Sequence, residues 1–208
     1  MTYKIIKFLF APIIKLLWIK KVEGLENIPE TDRIILASNH ESYFDFICLA
    51  AISPRPVYFL AGEVFFKKWY FRPLMKMTGQ IRVDRNQKDK SQAVNKALEI
   101  LEREKVFGIF PEGTRSADGK LQKAYTGVAK IALKSKSKVI PVGMIGTFEI
   151  MSRHDKYPKF KKCKIKIGKA INLSQYYGKE EDKEVLINIA DKIIMPQIAK
   201  LTGEEYNF

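Results

Sequence analysis

Apolar residues fall along this chain in short blocks separated by longer stretches of helical periodicity. Ile34 to Ala37, Val57 to Leu60, Ile81 to Val83, Val106 to Phe110, Val139 to Met144 and Cys163 to Ile167 are each short and rich in β-branched or aromatic residues, and each predicts a strand. Between them the period lengthens. From about Lys90 to Glu104 the residues Val94, Ala97, Leu98 and Leu101 share one face of a helix. From about Lys183 to Leu201 a second helix turns Val185, Ile189, Ala190 and Ile193 inward, with a bend expected near Pro196. Strands alternating with helices predict an α/β fold.

The first residues follow a different pattern. From Tyr3 to Ile19 the chain is mostly apolar, yet Lys4, Lys7 and Lys15 recur on one side of a helix, opposite Ile5, Leu9, Ile13 and Leu16. A helix that spans a bilayer needs about 20 largely uncharged residues. The lysines and Pro12 therefore predict a basic amphipathic helix lying on one leaflet; a helix docked on the protein's own core is the competing reading. Lys7 interrupts the apolar run and no small-x-small cleavage site follows, so a signal peptide is not expected. Residues 1–22 are expected to form this membrane-associating segment and residues 23–208 a single catalytic domain, with no repeat or linker to suggest another. From Glu63 to Met77, Phe65, Phe66, Trp69, Tyr70 and Phe71 alternate with Lys67, Lys68, Arg72 and Lys76, a mixture suited to headgroup depth at a membrane surface.

Charge sharpens this picture. Lys and Arg number 37 against 23 Asp and Glu, giving a net charge of +14, so dense arrays of phosphate should attract the chain. Nucleic acid lacks any other support: there is no zinc-ligand spacing, RNP-type aromatic strand or helix-turn-helix. An anionic membrane surface has the N-terminal helix in its favour. Cys48 and Cys163 are isolated, and read as reduced thiols of a protein facing the cytosol.

Candidate chemistry sits where predicted strands end. His40 and Asp45 lie in NHESYFD, between the strand at Ile34 and an apolar helix beginning near Phe46. Ser42 and Asp45 have the S-x-x-D spacing of a capping box, whose carboxylate faces the Ser42 amide. The same carboxylate lies close enough to hold one imidazole nitrogen of His40, leaving the other to take a proton. The chain has two histidines, and His154 falls in a polar, Pro-bearing stretch that reads as a solvated loop. A second strand end carries Phe110-Pro111-Glu112-Gly113-Thr114-Arg115-Ser116, a turn whose amides, hydroxyls and arginine suit a phosphate. A third, GQIRVDR, adds Arg82 and Arg85.

With these strings in order, and with VIPVGM at Val139 to Met144 after them, the chain resembles the glycerolipid acyltransferases, specifically the 1-acylglycerol-3-phosphate acyltransferases that make phosphatidic acid. The likeness runs from about Gly24 into the C-terminal helix. It implies a single domain with a mixed central sheet flanked by helices. It further implies that His40 deprotonates the free hydroxyl of a lysophospholipid, that Asp45 orients His40, and that the hydroxyl attacks an acyl thioester, acyl-CoA or acyl carrier protein, with no acyl-enzyme, cofactor or metal. Arg115 would hold the acceptor phosphate, with Glu112, Gly113 and Thr114 shaping its loop and Arg85 assisting, while Pro141 shapes the acyl-donor side.

Two departures bear on the phosphate. Many relatives carry phenylalanine where this chain has Arg82, and a lysine near Tyr125 and Thr126, where the nearest basic groups here are Lys123 and Lys130. Arg82 or Lys123 is expected to compensate. The oxyanion formed on attack needs donors, and amides at the start of the helix beyond His40 are candidates. The expected protein is a peripheral or monotopic enzyme on the cytoplasmic face of the cell membrane, using lysophosphatidic acid. The alternatives are a family member with glycerol-3-phosphate or another lysophospholipid as acceptor, and an inactive lipid-phosphate binding protein.

Overall fold

The structure is a computed structural model describing residues 2–67, 69, 72–83 and 91–208. Seven strands, β1 (Ile19–Glu23), β2 (Ile34–Ser38), β3 (Val57–Gly62), β4 (Ile81–Val83), β5 (Val106–Ile109), β6 (Lys138–Ile145) and β7 (Cys163–Ile167), form one sheet in the order β1-β7-β6-β2-β5-β3-β4. Every pairing is parallel except β6 with β7. The sheet is therefore mixed, and the α/β expectation holds. The six expected strands appear with small changes at their ends.

β1 is the strand that the pattern hid. Lys20 and Lys21 interrupt its apolar positions, and pairing with β7 along one edge of the sheet makes it a strand. The N-terminal segment drawn to residue 22 thus ends inside β1.

Helices α1 (Thr2–Trp18), α2 (Phe44–Ile52), α3 (Glu63–Lys67), α4 (Arg72–Met77), α5 (Ser91–Glu102), α6 (Gly127–Ser135), α7 (Thr147–Ile150), α8 (Lys183–Asn188) and α9 (Met195–Thr202) surround the sheet. A π-helical segment, Ile189–Ile194, joins α8 to α9 and sets Pro196 in the first turn of α9, where its missing N–H costs nothing.

Period-two alternation in the strands builds two cores. Ile35 and Ala37 of β2, with Phe107 and Val139, face Leu101 of α5, Val128 and Ala132 of α6, and Ile194 and Ile198. Ile34 and Leu36, with Ile140 and Val142, face Phe44, Cys48 and Leu49 of α2 on the other side. Burial on both faces explains why β2 reads as an unbroken apolar run. Each aliphatic side chain fully buried there contributes about 1.5–3 kcal/mol relative to exposure. The Cys48 and Cys163 thiols are free, with Sγ atoms 3.9 Å apart in the α2 core.

α1 docks on α2 and β3 through the side that carries Lys7. Tyr3 Oη donates to the Val57 carbonyl (3.1 Å), Lys7 Nζ donates to the Ser53 carbonyl, and Trp18 Nε1 donates to the Lys159 carbonyl (3.1 Å). Lys7 therefore does not share the solvated side of Lys4 and Lys15; burial pulls its ammonium down to about 8. The opposite face is left outward and apolar, with Phe8 80% and Leu16 72% exposed, and Ile5, Leu9 and Ile13 beside them. No helix among the described residues is long and apolar enough to cross a membrane.

Candidate active site

β2 and β5 are parallel neighbours, with Ala37 opposite Ile109, so both leave the sheet at the same end. That topology brings the NHESYFD segment against the FPEGTRS turn, at the carboxyl ends of the strands where open α/β sheets place their ligands.

His40 lies two residues beyond β2. Its Nδ1 is 2.8 Å from Asp45 Oδ2, and the same oxygen accepts the amides of Glu41 and Ser42 at 2.7 Å each. The two readings of Asp45, cap and imidazole holder, are thus one arrangement. Ser42 Oγ accepts the Phe44 amide (3.0 Å) and donates to the Met151 carbonyl (2.6 Å), fixing the start of α2 to the segment after α7. Three of the amides offered for an oxyanion at this helix start are consequently occupied: those of Glu41 and Ser42 by Asp45, and that of Phe44 by Ser42.

The imidazole is held from its face as well. Phe110, the residue after β5, stacks on His40 with centroids 3.9 Å apart and planes 12° apart, and Phe59 of β3 stacks on Phe110 at 5.8 Å. Gly108 makes this column possible. A Cβ there would come within 2.2 Å of the Phe59 ring.

Glu112 has a more direct role than shaping the turn. It is 2% exposed, its Oε1 accepts the His40 amide (3.0 Å) and its Oε2 accepts the Gln122 amide (3.3 Å). Burial pushes its carboxyl up to about 8, against the pull of those two donors. The Ser116 amide returns a bond to the His40 carbonyl (2.7 Å), so the two segments are stitched in both directions. Gly113 takes a left-handed turn (φ 69°), where a side chain would be strained and would meet Tyr125.

Two further residues escaped the sequence reading although they lie inside NHESYFD. Asn39 bridges to β6, its Nδ2 donating to the Met144 carbonyl (2.9 Å) and its Oδ1 accepting the Met144 amide (2.8 Å). Glu41 accepts from Asn39 Nδ2 (2.8 Å) on one oxygen and from Thr147 Oγ1 (3.4 Å) and the Phe148 amide (3.3 Å) on the other. Burial, with Asp45 and Glu204 nearby, raises the Glu41 carboxyl to about 9.

A cavity of about 990 Å³ opens beside His40. Gly113, Thr114 and Arg115 line it, together with apolar residues of α1 and α2, among them Ile6, Phe10, Ile14 and Ile47. Arg115 packs its guanidinium over the Tyr43 ring, 3.6 Å from the centroid. The arrangement offers an imidazole oriented by a carboxylate, a cation lining the same cavity, and a largely apolar volume of the size a hydrocarbon chain needs.

The other expected residues are less central. Arg82 is exposed and ion-paired with Glu63, which itself lines the cavity. Lys123 is exposed and does not line the cavity, and Lys130 pairs with Glu181 (2.6 Å). Arg85 lies outside the described residues, as do Lys68, Tyr70 and Phe71 of the aromatic-basic stretch. From that stretch, Phe65, Lys67, Leu74 and Met75 line the cavity, whereas Trp69 is 83% exposed. Pro141 is buried within β6, opposite Ala37, and packs on Gly168, whose missing Cβ leaves room for its ring; it does not line the cavity.

A family model described as Acyltransferase matches residues 20–145, a span that contains His40, Asp45, Glu112 and Arg115. Among curated proteins, a chloroplastic 1-acyl-sn-glycerol-3-phosphate acyltransferase of Arabidopsis thaliana is 30% identical over 132 residues, 62% of this chain and 37% of that protein. The 1-acyl-sn-glycerol-3-phosphate acyltransferase of Borreliella burgdorferi is 29% identical over 61% of this chain and 51% of its own length. The aligned part thus spans about half of these relatives or less. Among solved structures, the 1-acyl-sn-glycerophosphate acyltransferase of Thermotoga maritima superposes with a TM-score of 0.74, covering 96% of this chain and 79% of that one; at 23% identity this establishes a shared fold.

Proposed function

Because the chain belongs to the Acyltransferase family, whose model spans more than half of it, we propose that it transfers a fatty acyl group from a thioester to the sn-2 hydroxyl of 1-acyl-glycerol-3-phosphate, giving phosphatidic acid. The observation that carries this reading is the His40–Asp45 pair beside a large, mostly apolar cavity that Arg115 also lines.

With Nδ1 engaged by Asp45, His40 offers Nε2 to the substrate. The acceptor hydroxyl gives its proton to Nε2 as its oxygen attacks the thioester carbonyl. A carbon–oxygen bond forms, the carbon–sulfur bond breaks, and the departing thiolate takes the proton back from the imidazolium. A base positioned in this way is worth about 10²- to 10⁴-fold. Asp45 holds the ring in the tautomer this requires, and the stack on Phe110 fixes its plane. Arg115 takes the acceptor phosphate, for which a guanidinium fork is well matched. The donor is acyl-CoA or acyl carrier protein, and these steps use side chains alone, without cofactor or metal. Arg85 would assist with the phosphate, as the family resemblance implies, whereas Arg82 is already ion-paired with Glu63, and Pro141, which packs within β6, would act on the donor side only through the sheet.

The outward apolar face of α1 suits a lipid surface. The enzyme would lie peripherally on the cytoplasmic face of the membrane, its cavity running under α1 so that acyl chains enter from the leaflet.

The test is release of free thiol from an acyl thioester by the purified protein in vesicles, with and without lysophosphatidic acid. Acceptor-dependent release in the wild type, abolished in His40→Ala with the fold retained, is expected. Undiminished turnover in His40→Ala would refute the mechanism, and no release with lysophosphatidic acid, another lysophospholipid or glycerol-3-phosphate would leave a lipid-phosphate binding protein.

A further inference from the structure

The stretch around His154, read from sequence as a solvated loop, is built rather than loose, and so is its continuation to residue 162. Ser152 and Asp155 close a turn on themselves, with the Ser152 amide and hydroxyl donating to Asp155 Oδ2 at 2.9 and 2.7 Å. The Lys159 amide donates to the Ile150 carbonyl (2.8 Å), and Lys159 Nζ pairs with Asp155 (3.0 Å). Trp18, at the end of α1, donates to the Lys159 carbonyl and stacks on Phe160, with planes 10° apart.

This constrained loop displays what a constrained loop normally hides. Tyr157 is 80% and Phe160 81% exposed. Around them stand Arg153, Lys156, Lys161 and Lys162, none with an ion-pair partner among the described residues. Arg153 also lines the cavity that contains His40.

We propose that this loop is a second lipid-contact surface, which seats Tyr157 and Phe160 among the headgroups of an anionic bilayer while its lysines meet lipid phosphates. The proposal rests on the reading that α1 lies in the same lipid surface, and Trp18 joins the two. Lysines alone would suit any acidic partner. Rings projecting beside lysines are the combination that the headgroup layer accommodates, the ring body in the apolar margin and the cation at phosphate level. The loop would then fix the rotation of the protein about α1 and turn the cavity mouth at Arg153 towards the leaflet.

The experiment is flotation of the full chain with phosphatidylcholine vesicles, with and without phosphatidylglycerol. Lys156→Gln, Lys161→Gln and Lys162→Gln should each weaken binding to the anionic vesicles about fivefold, as expected for one lysine at such a surface, and hardly affect binding to neutral ones. Tyr157→Ser/Phe160→Ser should weaken binding to both, and thiol release with a short-chain soluble acceptor should stay at the wild-type rate. Three variants on the outer face of α1, Ile5→Asn, Leu9→Asn and Leu16→Asn, separate the two claims. Binding lost in the α1 variants and unchanged in the loop variants overturns the loop proposal alone; binding unchanged in both sets removes the membrane reading of α1 as well. Unchanged vesicle binding with a raised KM for an acyl carrier protein donor would assign the loop to a protein partner and overturn the proposal.

Discussion

The His40 side of the cavity and its Arg115 side differ in how deeply each is buried. His40 is gripped by Asp45 at its ring, by Glu112 at its amide, by Ser116 at its carbonyl and by Phe110 across its face. Asp45 is in turn set by two backbone amides. Arg115 stands half-exposed beside the exposed Gly113 and Thr114, with its guanidinium over Tyr43. A base must have its geometry before the substrate arrives, since small misplacements cost rate. A phosphate is large, doubly charged and able to draw a long cation to itself, so the anion-reading wall tolerates being completed by its ligand. Under the proposed mechanism, the difference teaches that the His40 half should control kcat and the more exposed Arg115 half KM.

Asp45→Asn is the sharpest way to break that division. An amide at residue 45 keeps the size of the carboxylate and can turn its oxygen towards the three donors that share Oδ2, but it carries no negative charge to stabilise the imidazolium formed when His40 takes a proton. A fall in kcat of about 10²-fold is expected, with the KM for lysophosphatidic acid little changed, within the range that general-base positioning supplies. Steady-state kinetics would decide it, and a change confined to KM would show that the His40 side does not control kcat.

Arg115→Ala tests the other half. A hydrogen bond to a charged group is worth about 1.5–3 kcal/mol, so the KM for the phosphorylated acceptor should rise about 10- to 100-fold, with a smaller change in kcat. Arg115→Lys should recover part of the loss, since lysine keeps the charge without the planar fork. An unchanged KM would remove Arg115 from phosphate recognition.

How much of this was legible in the sequence follows from distance along the chain. His40 and Asp45 are five residues apart, and strand-end strings announce themselves locally, so the contact between the pair could be read. Glu112 was read as a loop residue because its partner, the His40 amide, lies 72 positions away. The ring of Phe110 was invisible as a support for the same reason: parallel pairing of β2 with β5 creates the stack, and nothing in FPEGTRS signals it. The oxyanion expectation counted every amide at the helix start as free, whereas Asp45 and Ser42, short polar side chains of the kind that claim such amides first, take those of Glu41, Ser42 and Phe44. β1 was missed because lysines on an edge strand look like the tail of a basic helix. On α1 itself, the opposition of lysines and apolar residues was readable, but which side would face the protein was not. Burial of Lys7 through its aliphatic stem, with its ammonium on the Ser53 carbonyl, settled that.

Gly108→Ala asks whether the aromatic column belongs to the His40 half. The added methyl would fall inside the Phe59 ring position, so Phe59 must shift, and Phe110 and His40 stack in sequence beyond it. Overpacking of this kind costs about 1–3 kcal/mol. Melting temperature and kcat should both fall, kcat by several-fold, while the KM for the acceptor stays near the wild-type value. A loss of stability with kcat intact would make the column a packing feature without influence on the imidazole.

Glu41→Gln gives the smallest expected effect and tests the His40 half through pH. Burial, reinforced by the Asp45 and Glu204 carboxylates, raises Glu41 from its ordinary 4.5 to about 9. The folded chain therefore holds a proton that the unfolded chain has released over most of that interval, so the native state binds more protons than the unfolded one and stability falls as pH rises. The contribution of Glu41 is complete below about 4.5 and is lost as pH climbs towards about 9. Glutamine has the shape of the protonated acid and keeps an acceptor for Asn39 and a donor for Thr147. At pH 8 the variant should melt about 2–4 °C above the wild type, the shift that ~1 kcal/mol produces in a domain of this size, and the two should converge near pH 5. Because Glu41 acts through Asn39 and α7 and does not line the cavity with His40, kcat at pH 7 should remain close to wild type. Parallel melting curves for the two proteins from pH 5 to 9 would mean that Glu41 ionises freely in the fold, and that the ground beside His40 is less closed than its hydrogen bonds imply.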